Sequence, residues 1–234
     1  MNDFSSAFSA AFSLLMGGDG ELLDIVGLSL QVSAAAVFLA TVIGMPLGAA
    51  TALYKFPGRK TLVVVLNALM GLPPVVVGLI VYMLLSRIGP FGVLGLLFTP
   101  TAMIVAQIIL IVPIIAALSR QIIEDLWSEY REQLLSLGAS PVRRMLTLLW
   151  DGRFALLTAV LAGFGRASAE VGAVMIVGGN IDHVTRVMTT SIALEVSKGN
   201  LALALGLGII LITLSISVNA AAFLLKEAAE RRQA

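Results

Sequence analysis

Five long apolar stretches, parted by short polar or Gly/Pro-rich segments, set the pattern of this chain. They cover residues 25–53, 62–85, 101–118, 155–177 and 201–225. About 20 apolar residues in a helix cross the hydrocarbon of a bilayer, where backbone polar groups must be satisfied internally. The pattern therefore predicts an all-α membrane protein with five transmembrane helices, in a single domain over residues 1–234. Pro73 and Pro74 fall in the second stretch and Pro113 in the third. Residues 91–98 are too short to span and lie between Gly89-Pro90 and Thr99-Pro100, so they read as a loop or a short interfacial helix. Phe4, Phe8, Phe12 and Leu15 recur at helical spacing. They predict a short amphipathic helix, lying on the outer interface or packed on the bundle.

Lys and Arg orient the spans. With the N-terminus outside, the inner side holds Lys55, Arg59, Lys60, Arg120, Arg131, Arg143, Arg144, Arg153, Lys226, Arg231 and Arg232. The outer side holds only Arg87, Arg186 and Lys198. Eleven against three predicts N-outside, C-inside.

The longest inner connection, residues 119–152, is too polar to span and too short to be a domain. Tyr130, Leu134 and Leu137 share one helical face. Gly138 stops that helix, and Ser140-Pro141 opens another, with Ser as N-cap and Pro at the first helical position. The prediction is helix, Gly turn, helix: a knuckle between spans 3 and 4. It serves either as a docking point for a soluble partner or as an ordinary structured loop.

Composition narrows the chemistry. The chain is 59% hydrophobic and 12% charged, against about half and a quarter in soluble domains. A net charge of +1 gives no case for nucleic-acid binding. No cysteine and one histidine, His183, exclude disulfides, thiolate metal sites and multi-histidine centres. The first 20 residues carry Asp3 and Asp19 but no Lys or Arg, unlike a cleaved signal peptide, so they read as mature protein. No phosphate-binding G-x-x-x-x-G-K-[ST] string occurs, and Gly58-Arg-Lys-Thr61 lacks its spacing. ATP chemistry is thus expected of a partner, and the chain is not expected to be an enzyme.

The stretch Glu132-Gln-Leu-Leu-Ser-Leu-Gly138-Ala-Ser-Pro resembles the "EAA" loop of ABC importer permeases. Gln133 and Leu134 replace the two alanines, and Leu149-Trp150 stands where Leu-Pro is usual. Phe164-Gly-Arg-Ala-Ser-Ala-Glu170-Val-Gly172, followed by Gly178-Gly-Asn180, is similar to the fourth span of molybdate and tungstate permeases. The run Thr185 to Thr190, with Ala193-Leu-Glu and Ser197-Lys-Gly, looks most like the tungstate branch.

The resemblance implies a homodimeric permease in a bacterial or archaeal inner membrane, importing an oxyanion, with tungstate expected and molybdate or sulfate as alternatives. It further implies a cytoplasmic ABC ATPase dimer, which binds ATP and Mg, and an extracytoplasmic oxyanion-binding protein. Glu132, Leu137, Gly138, Ala139 and Ser140 would then form the coupling helix region seated on the ATPase. No cofactor or metal is expected in this chain.

Arg166 and Glu170 lie within the fourth stretch, where a charge costs roughly 2.5–3.5 kcal/mol. Four residues apart on one helix, they would share a face, as a gate on the pathway or as a structural pair. Pro73 and Pro74 break the second stretch, as a hinge or a plain kink. Asn67 and Gln107 are expected to hydrogen-bond between helices. Asn180, Arg186, Thr189 and Thr190 form a candidate outer entrance that faces an arriving dianion, docks the binding protein or is merely solvated.

Two other classes compete. A secondary transporter would carry inverted repeats and midplane ion ligands, and no repeat relates the halves. A membrane-embedded enzyme would need a nucleophile, metal cluster or paired carboxylates, and one midspan acid does not supply them.

Overall fold

In a computed structural model, which describes Ser9, Phe12 and residues 20–231, every regular element among the described residues is helical. Nine α-helices lie within residues 20–231: α1 (Gly20–Leu53), α2 (Arg59–Leu69), α3 (Pro74–Leu85), α4 (Pro100–Ser136), α5 (Pro141–Asp151), α6 (Arg153–Ser168), α7 (Gly172–Gly178), α8 (Met188–Ser197) and α9 (Leu201–Arg231). A single 3₁₀ turn, Gly92–Leu94, occupies the connection expected at residues 91–98. Apart from Phe12, the expected N-terminal amphipathic helix lies outside the described residues. Leu22–Leu53, Pro100–Ser136 and Leu201–Ala228 are each long and apolar enough to cross a membrane, and two bent helix pairs raise the number to as many as five.

Three expected spans differ from the observed helices. The second is two helices, because Pro73 takes an extended ψ of 120° and Pro74 opens α3 at its first position. The third does not stop at 118. Residues 119–136 contain neither Gly nor Pro and are rich in good helix formers, so α4 runs unbroken from the span into the helix expected ahead of Gly138, 37 residues in all. At about 1.5 Å per residue it is roughly 55 Å long, well beyond a hydrocarbon core of about 30 Å. The fourth stretch is split into α6 and α7 by residues 169–171.

The chain forms two compact units. The first comprises the described residues up to Ala35, with Pro73–Gln107 and the chain from Ala167 onward. Its core packs Leu22 of α1 and Met188 of α8 against Leu207 and Ile210 of α9. The start of α8 is fixed to α1 by the Met188 N–H, which donates to Ser29 Oγ at 2.8 Å.

The second unit comprises Ala36–Leu72 and Ile108–Arg166. Gly44 and Gly48 of α1 face α4 there. A Cβ on Gly48 would fall inside van der Waals contact with the Ala116 carbonyl and 2.9 Å from Ser119 Cβ. Glycine thus lets the two backbones touch. At the end of α1, Arg59 donates to the carbonyls of Thr51 and Ala52, which have no intrahelical partner, and pairs with Glu124 at 2.7 Å. Arg120 holds the other Glu124 oxygen.

Replacing Gly48 by Leu should overpack this contact and cost about 1–3 kcal/mol. Replacing Gly208, which has open space around it, by Ala should cost no comparable stability. Thermal unfolding of both variants in lipid nanodiscs checks the difference; equal midpoints would refute the close contact.

Candidate functional site

The break after α6 is the chemically richest place in the first unit. Outside a helix, residues 169–171 leave backbone groups that lipid cannot satisfy. Side chains take over. Gln107 Nε2 on α4 donates to the Ala167 carbonyl at 3.2 Å. Thr189 Oγ1 on α8 donates to the Glu170 carbonyl at 3.0 Å. Glu170 Oε1 accepts the Ala173 N–H at 3.1 Å and so caps the start of α7. Glu170 is 3% exposed. It lies two residues past the end of α6, so the single helix expected to carry both Arg166 and Glu170 ends between them. Arg166 is half-buried on α6 in the second unit.

The helix that follows the break in the second stretch packs beside this one. α3, which Pro73 and Pro74 begin, runs against α7 in the first unit. A Cβ on Gly78 would lie 2.8 Å from Ala173 Cα, and one on Gly172 would lie 2.9 Å from Val75 Cγ2. α3 and α7 therefore approach backbone to backbone at Gly78 and Ala173.

The four outer-entrance candidates divide. Thr189 and Thr190 are buried. Thr190 Oγ1 donates to the Val187 carbonyl and accepts the Val187 N–H, which closes the first turn of α8. Both hydroxyls are spent on backbone. Asn180 adopts φ 50° just past α7. Arg186 pairs with Asp182 at 2.7 Å in a surface groove that also holds Asp24 and His183. His183 itself is exposed. Gln107 makes the expected bond between helices, whereas Asn67 is exposed on α2. The role of Thr189 at the break was not legible, because its partner is 19 residues away.

The knuckle is the notable feature of the second unit. Gly138 has φ 64°. Around it the Ala139 N–H reaches the Leu134 carbonyl at 3.1 Å and the Gly138 N–H reaches Leu135 at 3.0 Å, the double closure of a Schellman cap. Ser140 Oγ then accepts the Arg143 N–H at 3.4 Å, and Pro141 is the first residue of α5. Two further bonds hold the turn. Arg144 Nε donates to the Ala139 carbonyl at 2.7 Å, and Tyr54 Oη donates to the Pro141 carbonyl at 3.0 Å. α5 meets α6 at a 75° bend.

One face of α5 packs inward, with Leu148 fully buried among Met145, Leu149, Ile123 and Trp127. The opposite face is apolar too. Val142, Leu146 and Trp150, spaced four apart, are exposed by 58–69%, and Leu137 beside them by 80%. Glu132, Gly138 and Ser140 are exposed, while Ala139 is buried under the turn.

Residues 44–232 match the family described as binding-protein-dependent transport system inner membrane component. The chain belongs to that family. It is 39% identical over 227 residues to a "Tungstate uptake system permease protein TupB" of Peptoclostridium acidaminophilum, covering 97% of this chain and all of the relative. The corresponding protein of Campylobacter jejuni is 37% identical over 195 residues, 83% of this chain and 82% of that one. A "Probable anion ABC transporter permease protein" of Haloferax volcanii is 40% identical over 185 residues, 77% of this chain and 80% of that one. This family membership makes the protein a membrane-embedded transport component. Among the described residues no cluster of His, Cys, Asp or Glu could hold a metal ion.

Two outcomes follow for this site. Thr189→Val keeps the shape but leaves the buried Glu170 carbonyl without its donor, which should cost about 1–3 kcal/mol, while Thr189→Ser should retain most of the stability. Unfolding midpoints of the two variants check this. The second outcome concerns Glu195 on α8. Lys198, bonded to it at 2.9 Å, holds its carboxyl below the ordinary value of 4.5, against the opposing effect of burial. Asn200 adds a second bond at 3.1 Å. A depressed folded value means the stabilisation is fully present above pH 4.5 and is lost as pH falls through that lower value. The wild type should therefore be more stable than Glu195→Gln at neutral pH, and the two should converge on acidification. A gap that widened in acid would reverse the sign.

Proposed function

We propose that this chain is the permease subunit of a binding-protein-dependent ABC importer that carries tungstate into the cytoplasm. The chain works as one transmembrane permease domain, N-terminus outside and C-terminus cytoplasmic, and pairs with a second copy. An extracytoplasmic binding protein delivers the oxyanion. An ABC ATPase dimer supplies the energy, and ATP and Mg bind there rather than here. The full-length similarity to tungstate permeases supports the substrate, and the eleven-to-three asymmetry of Lys and Arg supports the orientation.

The observation that carries this reading is the knuckle. A rigid Gly-capped turn at the end of a 37-residue helix presents Leu137, Val142, Leu146 and Trp150 outward. Four large apolar side chains on one polar-flanked projection suit a protein partner. Glu132, Leu137, Gly138 and Ser140 lie at the contact, and Ala139 holds the turn beneath them. The ATPase pushes on α5, and α4 and α6 carry the displacement toward the spans. Pro73, Pro74, Arg166 and Glu170 act where the second and fourth spans are interrupted, as hinges and gate. Asn180, Arg186, Thr189 and Thr190 shape the outer end, with Arg186 supplying charge and Thr189 and Thr190 supplying rigidity.

ATP hydrolysis by the reconstituted complex tests the assignment. Binding protein loaded with tungstate should stimulate it more than the molybdate- or sulfate-loaded forms. Greater stimulation by molybdate or sulfate would transfer the substrate assignment. No associated ATPase would favour an ion-coupled transporter. Gly138→Val strains a position with φ 64° and should abolish the stimulation while the spans still insert. Unchanged transport in that variant would refute the coupling role.

A further inference from the structure

Inside the first unit, beside the break at residues 169–171, is a small cavity whose walls include Ser33, Gln107, Ser168 and Glu170. Met103 and Met188 also line it, and both are buried, at 0% and 1% exposure. Gln107 is 3% exposed. Its Nε2 donates to the Ala167 carbonyl, which fixes the direction of the amide. Its Oε1 is buried and has no hydrogen-bond partner among the described residues.

Such an amide oxygen is an expensive group to bury, and native proteins commonly satisfy it with an ordered water. The space fits. About 20 Å³ is open to the centre of a water-sized body, and roughly 10–15 Å³ is enough to hold one molecule. The lining mixes apolar side chains with the polar groups of Ser33, Gln107, Ser168 and Glu170, whereas cavities with wholly apolar walls stay dry. The Glu170 carboxylate on the wall disfavours an oxyanion there.

We propose that this cavity is a bound-water site in which water donates to Gln107 Oε1 and hydrates the interrupted fourth span. Non-helical backbone at membrane depth persists where it lines protein or water. Gln107 and the water together supplement the bond that the Glu170 N–H makes to the Ala167 carbonyl at 3.2 Å. Bonds to water exchange partners readily, so the break bends without stranding a backbone group. The transported anion does not use this space.

Hydroxyl-radical footprinting by X-ray radiolysis tests the site, since radicals form from the water in place. The full chain is irradiated in lipid nanodiscs. Met103 and Met188 should be oxidised at rates comparable to half-buried Met145 on α5, despite their burial. In Gln107→Leu, oxidation of both should fall several-fold while Met145, as a check on folding, stays unchanged. Added tungstate should alter neither rate. Silent Met103 and Met188 in the wild type would overturn the proposal, with no variant needed. So would their protection by tungstate, which would make the cavity an anion station, or undiminished oxidation in a folded Gln107→Leu.

Discussion

Lipid offers no hydrogen bonds, and the interruption of the fourth span depends on how the protein replaces them. Residues 169–171 leave the helix within an apolar stretch, and three side-chain bonds join the backbone bond from the Glu170 N–H to the Ala167 carbonyl there. Gln107 serves Ala167, Thr189 serves Glu170, and the Glu170 carboxylate serves Ala173. These three bonds draw α4, α8 and α7 onto one point of the first unit. The short helix α8 owes its position to this need. Thr189 points inward, Thr190 closes the first turn, and Ser29 on α1 takes the Met188 N–H. A charged side chain that costs energy in a span is here a helix cap.

Close approach of backbones is the second theme. Gly78 against Ala173 in the first unit and Gly48 against Ala116 in the second each bring helices to contact distance. In lipid no hydrophobic force drives helices together, so small residues that let backbones touch provide the packing energy. In the proposed importer these contacts make stiff levers of α1, α3 and α4. Motion then concentrates at the interruptions near Pro73 and Glu170. The Schellman cap at Gly138, the N-cap at Ser140 and the bonds from Tyr54 and Arg144 stiffen the knuckle in the same way, so that a push on α5 moves it as a body.

Much of this was legible from local pattern. The apolar stretches gave the helical class, because a single polypeptide in lipid has few other ways to satisfy its backbone. The Gly138 stop and the Ser140-Pro141 start were readable, since capping depends on residues within one turn of each other. Gln107 was expected to bond between helices and does. The misread positions share one cause. The helix expected ahead of Gly138 is present, but it is continuous with the third span through residues 119–128, because polarity ends a span without ending a helix. The spacing of Arg166 and Glu170 predicts one continuous helix beneath both, but α6 stops at Ser168.

The sequence by itself determined the helical class, the caps at Gly138 and Ser140 and the orienting charge asymmetry, since these rest on composition and neighbours a few residues apart. Only the tertiary structure decided where the fourth stretch breaks and which groups seal it. It alone showed that Thr189 and Thr190 face inward and that Val142, Leu146 and Trp150 remain exposed. The physical reason is range. A hydrogen bond such as that from Gln107 to Ala167 joins residues 60 positions apart, and no local periodicity encodes the distance between them.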